Sequence, residues 1–225
     1  MENNVDICLC IDKTNSMSSF IVRFKKEARK LFHDVINILH SKGKTISCFR
    51  VRVICFGDCK DDKEPMISSP FFILPDSMDQ LEDFLKCIEI ENDGDAPVDG
   101  LEALAYAMKS DWNEEGRRKR HIIALFTDTS AHELGFGKEE DTYPKVGMPK
   151  DFGELSEMWG DEDEPGEMNY QAKRLLLFAP DVSFWHTIAN CWENTAIRIT
   201  KEEAGLGDIP DKELLDIIAF TIQFI

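Results

Sequence analysis

Asp12, Thr14 and Ser16 alternate in the stretch ICLCIDKTNSM, residues 7–17, directly after an apolar run. Three chemistries use such a pattern. A carboxylate can attack phosphorus. A set of oxygens can hold a hard divalent cation. A hydroxyl can cap the helix that follows. In an extended loop alternate side chains point the same way, so the three oxygens can face one point. Magnesium takes about six oxygen ligands at roughly 2.1 Å and keeps some waters. Neutral hydroxyls leave such an ion able to attract a further carboxylate.

Other acids stand in similar places. One apolar run ends in Gly57-Asp58. Another ends in Asp128-Thr129-Ser130, with His132 and Glu133 just beyond. The segment Asn92-Asp93-Gly94-Asp95-Ala96-Pro97 adds a loop rich in carboxylates. Asp58 is expected to mark a turn, Lys13 to lie exposed at the rim, and His132 and Glu133 to be surface residues. Ser16 is a candidate N-cap of the first helix, and Asp95 of the helix that starts near Pro97.

The elements that must position these groups can be read from periodicity. Residues 5–11 and 121–127 are continuous apolar runs, as expected of strands buried on both faces. Residues 45–57 alternate and then become apolar, and 174–179 and 195–200 are two more strands. MISSPFFIL, residues 66–74, reads as a short edge strand, because Pro70 would be awkward in a central one. Helices are expected over 19–39, 76–88, 98–111, 182–192 and 211–224 from their apolar spacing. This alternation predicts one α/β domain over 1–225. It has a mostly parallel central sheet, one short antiparallel edge strand and helices on both faces. Sites in such sheets lie beyond the C-terminal strand ends.

Composition narrows the function. The net charge is −17, which argues against nucleic acid, where affinity rests on Lys and Arg neutralising phosphates. No leader pattern and no apolar run long enough to span a bilayer are seen, so a soluble, cytoplasmic protein is expected. The seven cysteines include no CxxC pair, so reduced structural thiols are expected and a zinc site is not. Residues 139–168 hold eleven acids against Lys145 and Lys150. They predict an acidic surface excursion with a short helix near 151–159, either merely solvated or a dock for a basic partner.

An apolar strand, D-x-T-x-S-M, a long helix, a strand ending in F-G-D, a G-D-x-P loop and a strand ending in T-D resemble a von Willebrand factor A domain of the stand-alone bacterial kind. The resemblance runs from residue 5 to about 224. It implies a Rossmann-like fold and a metal-ion-dependent adhesion site, or MIDAS, holding Mg²⁺ or Mn²⁺. Matched onto this sequence, the ligands are Asp12, Thr14, Ser16 and Asp128, the last through water. The second loop lacks the Thr of the best-known members. Asp95 stands in its G-D-x-P pattern, with Asp93 and Asp99 as further candidates. The resemblance also implies a non-enzymatic module whose protein partner offers a carboxylate to the metal. Neighbouring ATPases, kinases or phosphatases are the partner classes it suggests, with no nucleic acid and no membrane.

The rival is an enzyme. D-K-T-N-S is similar to the D-K-T-G-T motif of haloacid dehalogenase-type phosphotransferases, in which the Asp is the nucleophile. Asn15 replaces the Gly, a helix begins at once where a flap should follow, and position 132 is His where a second Asp is expected.

Overall fold

The structure is a computed structural model that describes residues 3–90 and 97–223. Its strands are β1 (Asn3–Asp12), β2 (Cys48–Phe56), β3 (Met66–Ser68), β4 (Phe72–Ile73), β5 (Arg118–Phe126), β6 (Lys173–Pro180) and β7 (Thr195–Thr200). Its helices are α1 (Ser18–Ser41), α2 (Met78–Cys87), α3 (Gly100–Met108), α4 (Phe152–Trp159), α5 (Ser183–Cys191) and α6 (Asp211–Gln223). All the expected elements are present, with ends displaced by a few residues, as fraying termini allow. The seven strands form one sheet in the order β3-β2-β1-β5-β6-β7, with β4 also on β2. The ladders β2–β1–β5–β6–β7 are parallel. The edge predicted over 66–74 is two antiparallel pieces on β2, with Pro70 between them. Proline cannot donate to a ladder, so the edge breaks there.

β1 is buried along its whole length and divides two apolar layers. Val5, Ile7, Leu9 and Ile11 face α1, α2 and α6, where Phe20, Phe32, Leu81 and Ile218 are also buried. Cys8 and Cys10 face α3. The small side chains on that face let the helix come close: Cys10 Sγ lies 3.8 Å from the carbonyl of Ala103. α3 is buried almost all round, which explains its Ala-rich, weakly amphipathic sequence. The cysteines are all free, and Cys8, Cys10 and Cys55 act as small core residues.

The acidic excursion is anchored from beneath. Leu155 and Trp159, four residues apart on α4, are buried. Trp159 stacks on Trp192 at 5.5 Å between ring centres. The buried Lys173 donates to the carbonyls of Trp159 and Gly160. The helix starts at Asp151, whose carboxylate accepts the Glu154 N–H at 2.9 Å. Asp151→Ala is therefore expected to cost about 1 kcal/mol, read as a lower urea midpoint at unchanged slope. An unchanged midpoint would show that this cap is not used in solution.

Candidate metal centre

β1 and β5 are neighbours in the sheet, so Asp12 and Asp128 emerge side by side at its C-terminal edge. Both are fully buried. Asp12 Oδ1 accepts the Thr14 N–H at 2.9 Å and the Thr14 hydroxyl at 2.6 Å. Its Oδ2 accepts the Thr127 hydroxyl at 2.6 Å. Thr14 Oγ1 lies 3.2 Å from Ser16 Oγ, and Ser16 donates to Asp128 Oδ1 at 2.8 Å. Asp128 Oδ2 accepts the Gly205 N–H at 2.6 Å. Four of the five residues expected at the site thus bring their oxygens together, as two hydrogen-bonded pairs whose hydroxyls meet at 3.2 Å.

The fifth, Asp95, and its alternative Asp93 lie outside the described residues. The other alternative, Asp99, is engaged elsewhere and accepts the Cys59 N–H at 2.7 Å. Ser16 does not cap α1. It sits inside a single 3₁₀ turn, Asn15–Met17, and α1 follows Met17 with no side-chain cap. The hydroxyl is taken up by Asp128. Lys13 is not exposed at the rim: it is 1% accessible, with Nζ 3.3 Å from Asp62 Oδ2. Its backbone N–H donates to Phe56, which carries the side chain over the end of β2. Asp58 does hold a turn, accepting the Lys60 N–H at 2.8 Å, and also meets His132 Nε2 at 2.9 Å. Glu133 is exposed.

Burial pushes the Asp12 carboxyl up to about 6, hydrogen bonds from Thr127 and Thr14 pull it down, and the charge of Asp128 raises it again. The hydrogen bonds just described to the two carboxylates come from neutral donors. Two buried carboxylates and two hydroxyls are hard oxygen donors, the set that suits a hard divalent ion. The cluster fits a metal.

Sequence reasoning did not single out Thr127 or Gly205. Thr127 could have been found, because a hydroxyl ending an apolar strand has to be satisfied there. Gly205 has no such signal, since it reaches Asp128 across 77 positions of chain.

No protein-family model matches the sequence, and no curated protein matches it. Likeness appears among solved structures. BatB from Bacteroides thetaiotaomicron superposes with a TM-score of 0.50 at 14% identity, covering 98% of this chain and 98% of that one. Proximal thread matrix protein 1 from the mussel byssus gives 0.51 at 9% identity, over 98% of this chain and 47% of that one. Another structure of the mussel protein, with a zinc-occupied MIDAS motif, gives 0.50 at 10% identity, over 97% and 46%. The chain thus spans about half the length of the mussel protein. The fold is of the von Willebrand factor A type. At these identities the likeness speaks for the fold alone. No helix among the described residues is long and apolar enough to cross a membrane.

Proposed function

We propose that the chain is a metal-dependent protein-interaction module of the stand-alone bacterial kind, and not an enzyme. Asp12, Thr14, Ser16 and Asp128 would hold one Mg²⁺ or Mn²⁺, with Asp95 as the second-loop ligand. When bound, the ion supplies an electrophilic point that a partner's Glu or Asp can complete. The observation that carries this reading is the merging of Asp12, Thr14, Ser16 and Asp128 into one oxygen cluster with neutral donors, its two carboxylates buried and Ser16 at its exposed side. The mussel neighbour's zinc-occupied MIDAS motif adds support from a protein of similar fold. Three carboxylates around the ion would lower its residual charge. Attraction for an acidic partner is then weaker than where Thr fills the second loop. Partners of the ATPase, kinase or phosphatase classes are proposed from the resemblance.

The test is thermal unfolding and partner capture with Mg²⁺ and with EDTA. Mg²⁺ or Mn²⁺ raises the unfolding temperature of the wild type and has no effect on Asp12→Ala. Capture is lost in EDTA and in that variant. An Mg²⁺ or Mn²⁺ response that survives Asp12→Ala would refute the ligand assignment. A labile aspartyl phosphate on Asp12 after incubation with acetyl phosphate would instead support the phosphotransfer enzyme.

A further inference from the structure

A second group of ligating side chains gathers where β2 ends and α3 begins. Asp58 and Cys59 follow β2, and Asp99 immediately precedes α3. Each brings one ligand atom, and the three atoms lie within 4.8 Å of one another. All three residues are buried, at 5%, 2% and 1% accessibility. The backbone holds them there: Asp99 N–H donates to Gly57 at 2.8 Å, and Cys59 N–H donates to Asp99 Oδ2 at 2.7 Å. The Cys59 thiol points at the Phe136 carbonyl, 3.2 Å away. His132 Nε2 meets Asp58 Oδ2.

An independent observation marks the spot as a cation's place. Asp99 Oδ1 is buried and makes no hydrogen bond. Glu102, one turn along α3, accepts Gly135 N–H at 2.9 Å and the Tyr143 hydroxyl at 3.0 Å through Oε1, while its buried Oε2 also makes none. Buried carboxylate oxygens are almost always paired, and one that is not asks for a proton, a water or an ion. Burial, and then the charge of Glu102, push Asp99 up to about 7. The Cys59 thiol is pushed up by burial and by Asp99 and Asp58. A cation among the three ligand atoms would give Asp99 Oδ1 the partner it lacks.

The donor set selects the metal. A thiolate with carboxylates suits a borderline-soft ion, and zinc binds both in four-coordinate sites. Magnesium takes oxygen alone. We propose that Asp58, Cys59 and Asp99 form a zinc site beside the Asp12 centre, with water in the fourth position and His132 holding Asp58 in place. Tetrahedral zinc wants its donor atoms about 3.5 Å apart, so the three side chains need only close in slightly. On binding, the Cys59 thiol proton leaves to solvent and the sulfur lone pair goes to the metal. The site is built without a CxxC pair, by adjacent residues of one loop and a third from a helix start. The two centres share no residue. They are linked through Asp62, which accepts the Asp58 N–H at 3.0 Å and pairs with Lys13, the neighbour of Asp12.

Cobalt(II) tests this, because a thiolate ligand announces itself by a charge-transfer band in the near ultraviolet. The titration uses Asp12→Ala protein, to silence the first centre, with the exposed Cys87 and Cys191 replaced by Ser. One equivalent of Co²⁺ is expected to develop the band together with strong visible absorption of four-coordinate cobalt, and Zn²⁺ to bleach both. Cys59→Ser removes the band. His132→Ala keeps it but weakens Co²⁺ binding roughly 10–100-fold. No band in the parent protein, or a band that survives Cys59→Ser, overturns the proposal. Should Cys59→Ser not fold, Asp99→Asn decides: unchanged Co²⁺ affinity in that variant overturns the site, and a weakened one upholds it.

Discussion

Asp12→Asn is expected to make the metal-free protein more stable at pH 7.5 by up to about 3 kcal/mol, while abolishing its response to Mg²⁺ and Mn²⁺. The ordinary carboxyl value is 3.8, and burial carries Asp12 to about 6 in the folded chain. The folded state therefore binds the proton more tightly than the unfolded state. Stability falls as pH rises from about 4 to about 6, and the full deficit is present above that. Two units at 1.36 kcal/mol each give the magnitude. The new amide faces the hydroxyls of Thr14 and Thr127, which offsets part of the gain. Wild-type protein recovers on metal: an ion at a hundred times its dissociation constant contributes about 2.7 kcal/mol. Urea denaturation in EDTA at pH 5 and 7.5 measures the effect. The advantage of Asn must grow with pH. A variant less stable than wild type at both values would show that Asp12 is not held there against its burial.

Trp185→Ala is expected to cost about 3–5 kcal/mol, the range for emptying an aromatic site in a core. The ring is fully buried. Its Nε1–H donates to the Thr129 carbonyl at 2.8 Å, in the loop that carries Asp128. Its edge occupies the place a Cβ on Gly100 would need, 2.8 Å from it. Truncation leaves a cavity and an unpaired carbonyl, and loosens the loop. Divalent affinity should fall with stability. Trp185→Phe separates the two effects, keeping most of the volume and losing the donor. Denaturation and Mg²⁺ titration of both variants read this out. A loss below about 1 kcal/mol in Trp185→Ala would mean the loop is braced elsewhere.

The strands and the first candidate ligands were legible for one reason. β1 and β5 are buried on both faces, so their apolar runs are continuous and end abruptly, and the abrupt ends are Asp12 and Asp128. The D-x-T-x-S hydroxyls meet by another route than the extended loop expected, since Thr14 is extended but Ser16 stands in a 3₁₀ turn. What escaped the sequence is the set of polar contacts made after folding. Lys13 reads as exposed because lysine usually is, yet it pairs with Asp62 within the fold. Ser16 reads as a cap because serine before a helix usually is, yet Asp128 takes its hydroxyl. Cys59 and Asp99 stand 40 positions apart with no motif to join them. Only the pairing of a loop after β2 with the start of α3 makes them neighbours.

The hydrogen bond from Thr127 to Asp12 spans 115 positions of chain. At about 5–20 residues per second, a ribosome needs roughly 6–23 s to travel that distance. During that interval β1 can pair with β2, but its other edge stays open, and Asp12 has neither Thr127 nor Asp128 beside it. The cluster can exist only once the middle of the sheet has closed. Occupancy of the centre would therefore certify a finished fold, and a nascent chain would lack the Asp128 half of the set that presents an ion.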